Sequence, residues 1–229
     1  MPAGLRIIQD FPRPASRLIA AFAGLGSSQI SDAMERFGVP RGLRFLGREG
    51  TGAVGPALTV KVSPADNLLL HKAVDILKPG DILVVDTGGD ESRAVIGDLM
   101  GRRAQIRGLA GLVVDGLVRD VASLRTIGLP VWARGATPAG PYKHGPGEIG
   151  VAVSIGGVAV HPGDIIAGDD DGIVCVPLPD AESVLAAARQ IAAKEEKLWQ
   201  SMASGSLSED RSWVDRALAD LGCEYPGQG

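Results

Sequence analysis

Three apolar runs, ILVVD at 82–86, LVVDG at 112–116 and PVWARG at 130–135, each stand one helix length from the next, and this alternation restricts the fold more than any other feature. Strands separated by a helix cannot close as tight hairpins; they pair in parallel, and the intervening helices cover the sheet. Residues 92–107 carry helical spacing, and VASLRTI (121–127) reads as a helix stopped at Gly128. Upstream, residues 15–37 read as two helices broken at Gly24 to Ser28 and stopped at Gly38, with Ser31 or Asp32 in the second one's first turn. They are followed by a strand at ALTVKVS and a helix at LLLHKAVDIL, closed by Lys78-Pro79-Gly80. Downstream the pattern changes. VAVSI, GVAV and IIAGDDDGIVCVP are short strands joined by Gly-Gly, Pro-Gly-Asp and Asp-Gly turns, and a long helix follows from 180 to about 203. The expected fold is therefore a layered α/β domain whose sheet mixes parallel and antiparallel strands. In the tail, Ser212, Asp215 and Gly222 outline a short capped helix that Trp199 and Trp213 would dock.

At 229 residues, 45% apolar and 22% charged, the chain supports one sizeable core, and no linker divides it. The expected organisation is an N-terminal extension at 1–20, one domain at 21–203 and a tail at 204–229. A net charge of −4 with scattered basic residues argues against a nucleic-acid groove or an anionic membrane surface as partner. The N-terminus lacks the basic and apolar regions of a signal peptide, and no apolar run approaches a membrane span, so a cytoplasmic location is expected. The two cysteines, Cys175 and Cys223, form no CxxC pair, which speaks against a zinc site or disulfide framework; Cys175 reads as a small buried apolar residue.

The run VVDGLVRDVAS (113–123) places Arg119 and Asp120 side by side beyond a buried strand. Neighbours in a regular helix or strand do not face each other, so mutual pairing is a poor explanation of the spacing. Separated from Arg119 by twenty residues, Asp98 in IGDLM opens a helical segment. One helix plus one strand returns the chain to the same sheet edge, which brings Asp98, Arg119 and Asp120 to one cleft. The residue types suit a 2-oxo acid with a divalent metal. Asp120 is an oxygen ligand for Mg²⁺ or Mn²⁺, Arg119 a planar fork for a carboxylate or enolate, and the amides of Gly97, Asp98, Leu99 and Met100 a helix-start anion cradle.

Plainer roles exist for each. Asp120 has the position of a helix N-cap and Arg119 that of a surface charge. Asp115-Gly116 reads as a turn, His71 as a helix residue, and DDDG at 169–172 as a hairpin turn lacking the downstream glutamate of a calcium loop.

The stretches HKAVDILKPGDILVVDTGGD, GDLM, GLVVDGLVRD, LPVWARGATP and HPGDIIAGDDDGIVCVP resemble the 4-hydroxy-4-methyl-2-oxoglutarate / 4-carboxy-4-hydroxy-2-oxoadipate aldolase family over roughly residues 20–200. That family shares its fold, the RraA-like swivelling β/β/α type, with the RraA regulators of ribonuclease E. The resemblance implies that Arg119 binds the pyruvyl group and stabilises its enolate, that Asp120 holds the metal and that Asp98 orients a catalytic water. It also implies that the backbone from Gly97 to Met100 grips the substrate carboxylate. A glutamate from a neighbouring subunit's C-terminal helix completes the family's site. AAKEEKLW offers Glu195 or Glu196, of which Glu195 is preferred, and the implied assembly is a homotrimer or hexamer. One position departs from the pattern: where the family carries an acidic residue three positions after this aspartate, this chain has Ser123, which can hydrogen-bond a metal-bound water without adding charge.

The implied activity is a metal-dependent class II pyruvate aldolase with oxaloacetate decarboxylase activity, acting on a small 2-oxo acid. The rival reading is a non-enzymatic regulator that binds a ribonuclease or another protein. A methyltransferase has GLGSS (24–28) as its one hint, and that loop follows a helical segment rather than a buried strand.

Overall fold

The structure, a computed structural model, describes residues 4–206 and 210–224. Residues up to Arg189 form one compact unit and those from Gln190 a second. The first opens with two short helices, α1 (Ser16–Phe22) and α2 (Ser27–Ala33), then strands β1 (Arg44–Phe45) and β2 (Ala53–Val62) and helix α3 (Leu68–Ile76). It continues with β3 (Ile82–Asp86), β4 (Ala94–Ile96), α4 (Asp98–Ile106), β5 (Gly111–Val118), α5 (Val121–Ile127) and β6 (Val131–Ala136). Five short strands follow: β7 (Gly147–Ile149), β8 (Val153–Ile155), β9 (Val158–Val160), β10 (Ile165–Asp169) and β11 (Gly172–Val176). Helix α6 (Ala181–Ala203) runs into the second unit, which also holds α7 (Ser212–Asp220).

The mixed α/β architecture expected from the sequence is present. The main sheet has the order β1-β6-β5-β3-β2-β10-β11, with β4 added beside β5 and β7 beside β2. Its centre, β2, β3, β5 and β6, is parallel, while β1, β7, β10 and β11 join antiparallel. Central strands buried on both faces explain the unbroken apolar runs. Leu83 and Val85 point with Leu112 and Val114 into the core covered by α3, α4 and α5. Ile82, Val84, Val113 and Trp132 point the other way, beneath the β8–β9 hairpin. Each such side chain contributes about 1.5–3 kcal/mol by leaving water. A third core, of Phe22, Ile30, Val174, Val184 and Leu185, seats α1, α2 and the start of α6 on β10 and β11.

The structure also corrects several local readings. Residues 94–96 are a strand, not part of a helix, because the register of β5 beyond Val114 offers them a parallel edge. Asp115-Gly116 lies inside β5 rather than in a turn. The Asp115 carboxylate is buried and accepts from Arg134 Nε at 2.5 Å and from the Gly156 amide at 3.0 Å, which compensates a charge in a strand. Helix α2 starts four residues before Ser31, at Ser27, behind Gly26, so GLGSS covers the turn between α1 and α2 and the first two residues of α2, where Ser27 donates through its amide and hydroxyl to Asp169 at the end of β10. The N-terminal segment is tied to the domain: the amide of Ile8 donates to Ile149 O at 2.9 Å, and Arg13 grips the buried Asp81 through both terminal nitrogens. Trp199 and Trp213 are 73% and 57% exposed. The hairpin at 169–172 is as expected, and burial, helped by the Asp164 charge, pushes the Cys175 thiol up to about 12, which leaves it inert.

Candidate active site

Strands β4 and β5 are parallel neighbours, and each feeds a helix within two residues of its C-terminal end. The Arg119 amide donates to Ile96 O at 2.9 Å, so the two strand ends are in fixed register and Gly97 lies against Arg119 and Asp120. This is the carboxyl edge where an open α/β sheet presents its ligands. The structure thus brings Gly97 and the Asp98 amide beside Arg119 and Asp120; of the residues expected at one cleft, Arg119 lines the cleft described below together with Gly97, Leu99 and Met100, and the carboxylates of Asp98 and Asp120 lie outside its lining.

Asp120 is held in the left-handed region, φ 58° and ψ 39°. A non-glycine residue there costs on the order of 1–3 kcal/mol, so the surroundings must impose it. Although it occupies the N-cap position of α5, its carboxylate makes no capping bond to that helix. Instead Oδ2 turns back to α4, 3.3 Å from the Asp98 amide and 3.3 Å from Arg119 Nε. The two neighbouring charges therefore do pair, contrary to the sequence reading. The left-handed turn takes Asp120 out of the strand and out of the helix, where the spacing rule would have applied. Both contacts fall on Oδ2, and the side chains of Arg119 and Asp120 remain 41% and 37% exposed, open to a ligand.

Gly97 is needed here for space. Its backbone is extended, but a Cβ would collide with Asp120 Oδ2 and stand 2.8 Å from Arg119 Cγ. Beyond it, the first turn of α4 is capped by the chain's own carboxylates: the Leu99 amide donates to Asp98 Oδ1 at 2.7 Å. Asp98 thus sits on the cradle itself. Ser123 is exposed on α5 one turn after Asp120, and Glu195 lies on α6 in the second unit.

In front of these groups opens a cleft of about 350 Å³ whose walls include Asn67, His71, Arg103, Arg119, Gly140 and Lys143. Its described lining holds three cations and no carboxylate. The His71 imidazole is pushed down from its ordinary value by burial and then by the charges of Lys143 and Arg103, against a smaller opposing effect of Asp75, so it is neutral at pH 7.

The loop that carries Gly140 and Lys143 is fastened by Asp66, which is 3% exposed. Its Oδ2 accepts the amides of His144 at 2.6 Å and Gly145 at 3.0 Å, and its Oδ1 that of Leu68 at 2.8 Å. Burial alone would raise this carboxyl; the three amides outweigh burial and hold it below the usual aspartate range. Arg93 completes the fastening, stacked 4.5 Å from the Tyr142 ring centre and donating to Gly140 O at 2.9 Å. Asn67, Asp66, Arg103 and Lys143 carry no signal in local spacing, and sequence reasoning missed them. They converge from the start of α3, the middle of α4 and a loop more than seventy residues from Asp66.

The RraA-like family (Aldolase/RraA) matches residues 27–175, more than half of the chain and all of the strand-end geometry described above. The chain belongs to the RraA-like family. A Halalkalibacterium halodurans relative named "Putative 4-hydroxy-4-methyl-2-oxoglutarate aldolase" is 39% identical over 201 residues, 87% of this chain and 95% of that one. Among solved structures, an uncharacterised Pseudomonas syringae protein superposes with a TM-score of 0.77 at 26% identity, covering 86% of this chain and 96% of its own. Streptomyces coelicolor RraAS2, described as an unusual member of the RNase ES inhibitor RraA family, gives 0.73 at 29% identity, covering 85% and 99%.

Proposed function

We propose that the chain is a class II pyruvate aldolase that cleaves 4-hydroxy-2-oxo acids of the 4-hydroxy-4-methyl-2-oxoglutarate or 4-carboxy-4-hydroxy-2-oxoadipate type and decarboxylates oxaloacetate. The observation that carries this reading is the left-handed Asp120, drawn off its own helix and set with Arg119 over the first turn of α4.

The substrate's 1-carboxylate takes the Leu99 and Met100 amides, where the helix start favours an anion, and displaces the Asp98 carboxylate from Leu99. Arg119 then faces the 2-oxo oxygen. When the C3–C4 bond breaks, the 4-hydroxyl gives its proton to the water beside Asp98, C4 becomes a carbonyl, the bonding pair forms C2=C3 and the carbonyl pair moves onto the 2-oxygen, where the guanidinium stabilises the charge. Asp98, freed from Leu99, orients the water that protonates C3 and releases pyruvate. Decarboxylation of oxaloacetate leaves the same enolate, with CO₂ in place of the carbonyl product.

Asp120 suits Mg²⁺ or Mn²⁺, which accept one or two carboxylates and keep several waters; its Oδ1 makes neither of the contacts described, and Glu195 of a neighbouring subunit would add a second carboxylate in a homotrimer or hexamer. Bound there, the metal supplies Lewis-acid polarisation of the 2-oxo group. Among the described residues no group of three or more His, Cys, Asp or Glu stands together for a metal.

The test is pyruvate release from oxaloacetate and from 4-hydroxy-4-methyl-2-oxoglutarate, with Mg²⁺ and after chelation. Release that needs the metal supports the reading, and absence of release with Mg²⁺ or Mn²⁺ present defeats it. The second reading, a regulator that binds a ribonuclease, draws on the similarity to RraAS2 and predicts no turnover.

A further inference from the structure

Arg93 lies half-buried just before β4, and none of the ion pairs among the described residues includes it. Its guanidinium serves two uncharged groups instead: NH1 donates to Gly140 O at 2.9 Å, and the cation stacks 4.5 Å from the Tyr142 ring centre. An arginine used this way fixes a stretch of chain.

That stretch is the loop from Ala139 to Gly145. Its far end is anchored at the start of α3, where the Tyr142 amide donates to Ala65 O at 2.8 Å, the Asn67 amide to Tyr142 O at 3.0 Å, and Asp66 takes the amides of His144 and Gly145. Ala65 is held in the left-handed region, φ 59°, which a non-glycine residue adopts only where its surroundings impose it. The near end rests on β4: the Ala94 amide donates to Ala139 O at 2.9 Å, and Arg93 takes the next carbonyl, that of Gly140.

Gly140 in turn backs the Arg119 fork. A Cβ on Gly140 would lie 2.9 Å from Arg119 NH1, and its φ is outside the left-handed region, so the glycine gives room and not a turn. At the other end of the guanidinium, the β4–α4 junction holds Nε beside Asp120 Oδ2 at 3.3 Å. With that end fixed alone, the group can turn about its Cδ–Nε bond, and the loop against NH1 opposes the turn.

We propose that Arg93 is a positioning residue: by holding Gly140 against the terminal nitrogen of Arg119, it sets the plane of the guanidinium that receives the enolate charge. This rests on the enolate reading above. The substrate's 1-carboxylate is gripped by the α4 amides, which Arg93 does not touch, so loss of Arg93 weakens the step in which charge develops and lowers kcat rather than raising KM.

Steady-state pyruvate release from oxaloacetate by the full-length protein with Mg²⁺, measured above the protein-free rate, tests this. Arg93→Met keeps the stem and removes the donor; it should lower kcat about tenfold with KM within about twofold of wild type, short of the roughly 100-fold that follows loss of an aligned donor itself. Arg93→Lys, which retains a cationic donor, should recover part of the loss, and Gly140→Ala, with a methyl pressed on NH1, should reproduce it. In an Arg119→Lys background, where no fork remains to align, Arg93→Met should lower kcat by less than about twofold, whereas a support of the fold alone would cost the same factor in both backgrounds. Thermal melting verifies that each variant is folded. Wild-type kcat in Arg93→Met or in Gly140→Ala, or equal losses with and without Arg119, overturns the positioning role alone. Wild-type release no faster than the protein-free rate defeats it together with the enolate reading.

Discussion

Replacing Gly97 with alanine should disable the site while leaving the fold nearly intact. Alanine tolerates the backbone angles of Gly97, φ −139° and ψ −164°, so the consequence is steric. The new methyl would collide with Asp120 Oδ2 and stand 2.8 and 2.9 Å from Arg119 Cγ and Nε. Both side chains are more than a third exposed and can swing outward, which holds the stability loss near the low end of overpacking, about 1 kcal/mol. For a chain of this length that is a shift of about 2–4 °C in Tm. The same swing removes Arg119 and Asp120 from the α4 cradle together, and loss of one aligned electrostatic donor alone costs on the order of 100-fold in turnover. Gly101→Ala is the contrasting variant. Its Cβ would lie 2.6 Å from Cδ2 of Leu124, which is fully buried between α4 and α5 and cannot move aside, so stability should fall by about 1–3 kcal/mol. Thermal melting and pyruvate release from oxaloacetate, measured on both variants, separate the two effects. A Gly97→Ala protein with wild-type turnover would refute the argument that the contact among Gly97, Arg119 and Asp120 organises the site.

Other substitutions give different signatures. Asp120→Ala removes no capping bond but keeps a Cβ in the left-handed region, so Tm should fall only slightly, while metal-dependent turnover is abolished; unchanged turnover at saturating Mg²⁺ would contradict the ligand role. Arg119→Lys should lose on the order of 100-fold in turnover, because a point ammonium cannot reproduce the fork, and parity with wild type on oxaloacetate would make Arg119 a bystander. The folded pKa of Asp66 is depressed, so its stabilisation is complete above the ordinary value of 3.8 and is lost as pH falls through the folded value. Asp66→Asn should therefore destabilise at pH 7 and flatten the acid limb of a Tm-against-pH curve below about pH 4, whereas an unchanged limb would place the acid sensitivity elsewhere. Mixing inactive Asp120→Ala and Glu195→Ala subunits should restore part of the activity if the site is shared between neighbours, and no recovery after verified subunit exchange would refute that sharing.

Much of this architecture is legible in the sequence because burial on both faces writes continuous apolar runs, and the strands at 82–86, 111–118 and 131–136 are such runs. The three-residue strand β4 is not legible: its pairing depends on a register shift in β5, a property of the sheet and not of the segment. Asp115 reads as a turn residue because an aspartate before glycine favours one, yet Arg134 on the next strand neutralises it in place. At the site, the distance between Asp98 and Arg119 follows from one helix and one strand and was readable. The pairing of Arg119 with Asp120 was not, since it depends on a left-handed turn that no non-glycine residue announces. Asn67, Asp66, Arg103 and Lys143 meet through contacts far apart in the chain, which periodicity cannot reveal.

The account's central claim is that Arg119, Asp120 and the first turn of α4 together stabilise a pyruvate enolate, and exchange of the pyruvate methyl protons for deuterium tests it without a distal group or a bond to cleave. Followed by proton NMR in D₂O, wild type with Mg²⁺ should exchange the methyl protons well above the buffer rate, chelation should abolish that excess, and Arg119→Lys should lower it on the order of 100-fold. Exchange no faster than buffer in metal-loaded wild type, or equal exchange in Arg119→Lys, would contradict the assignment of this site to enolate chemistry.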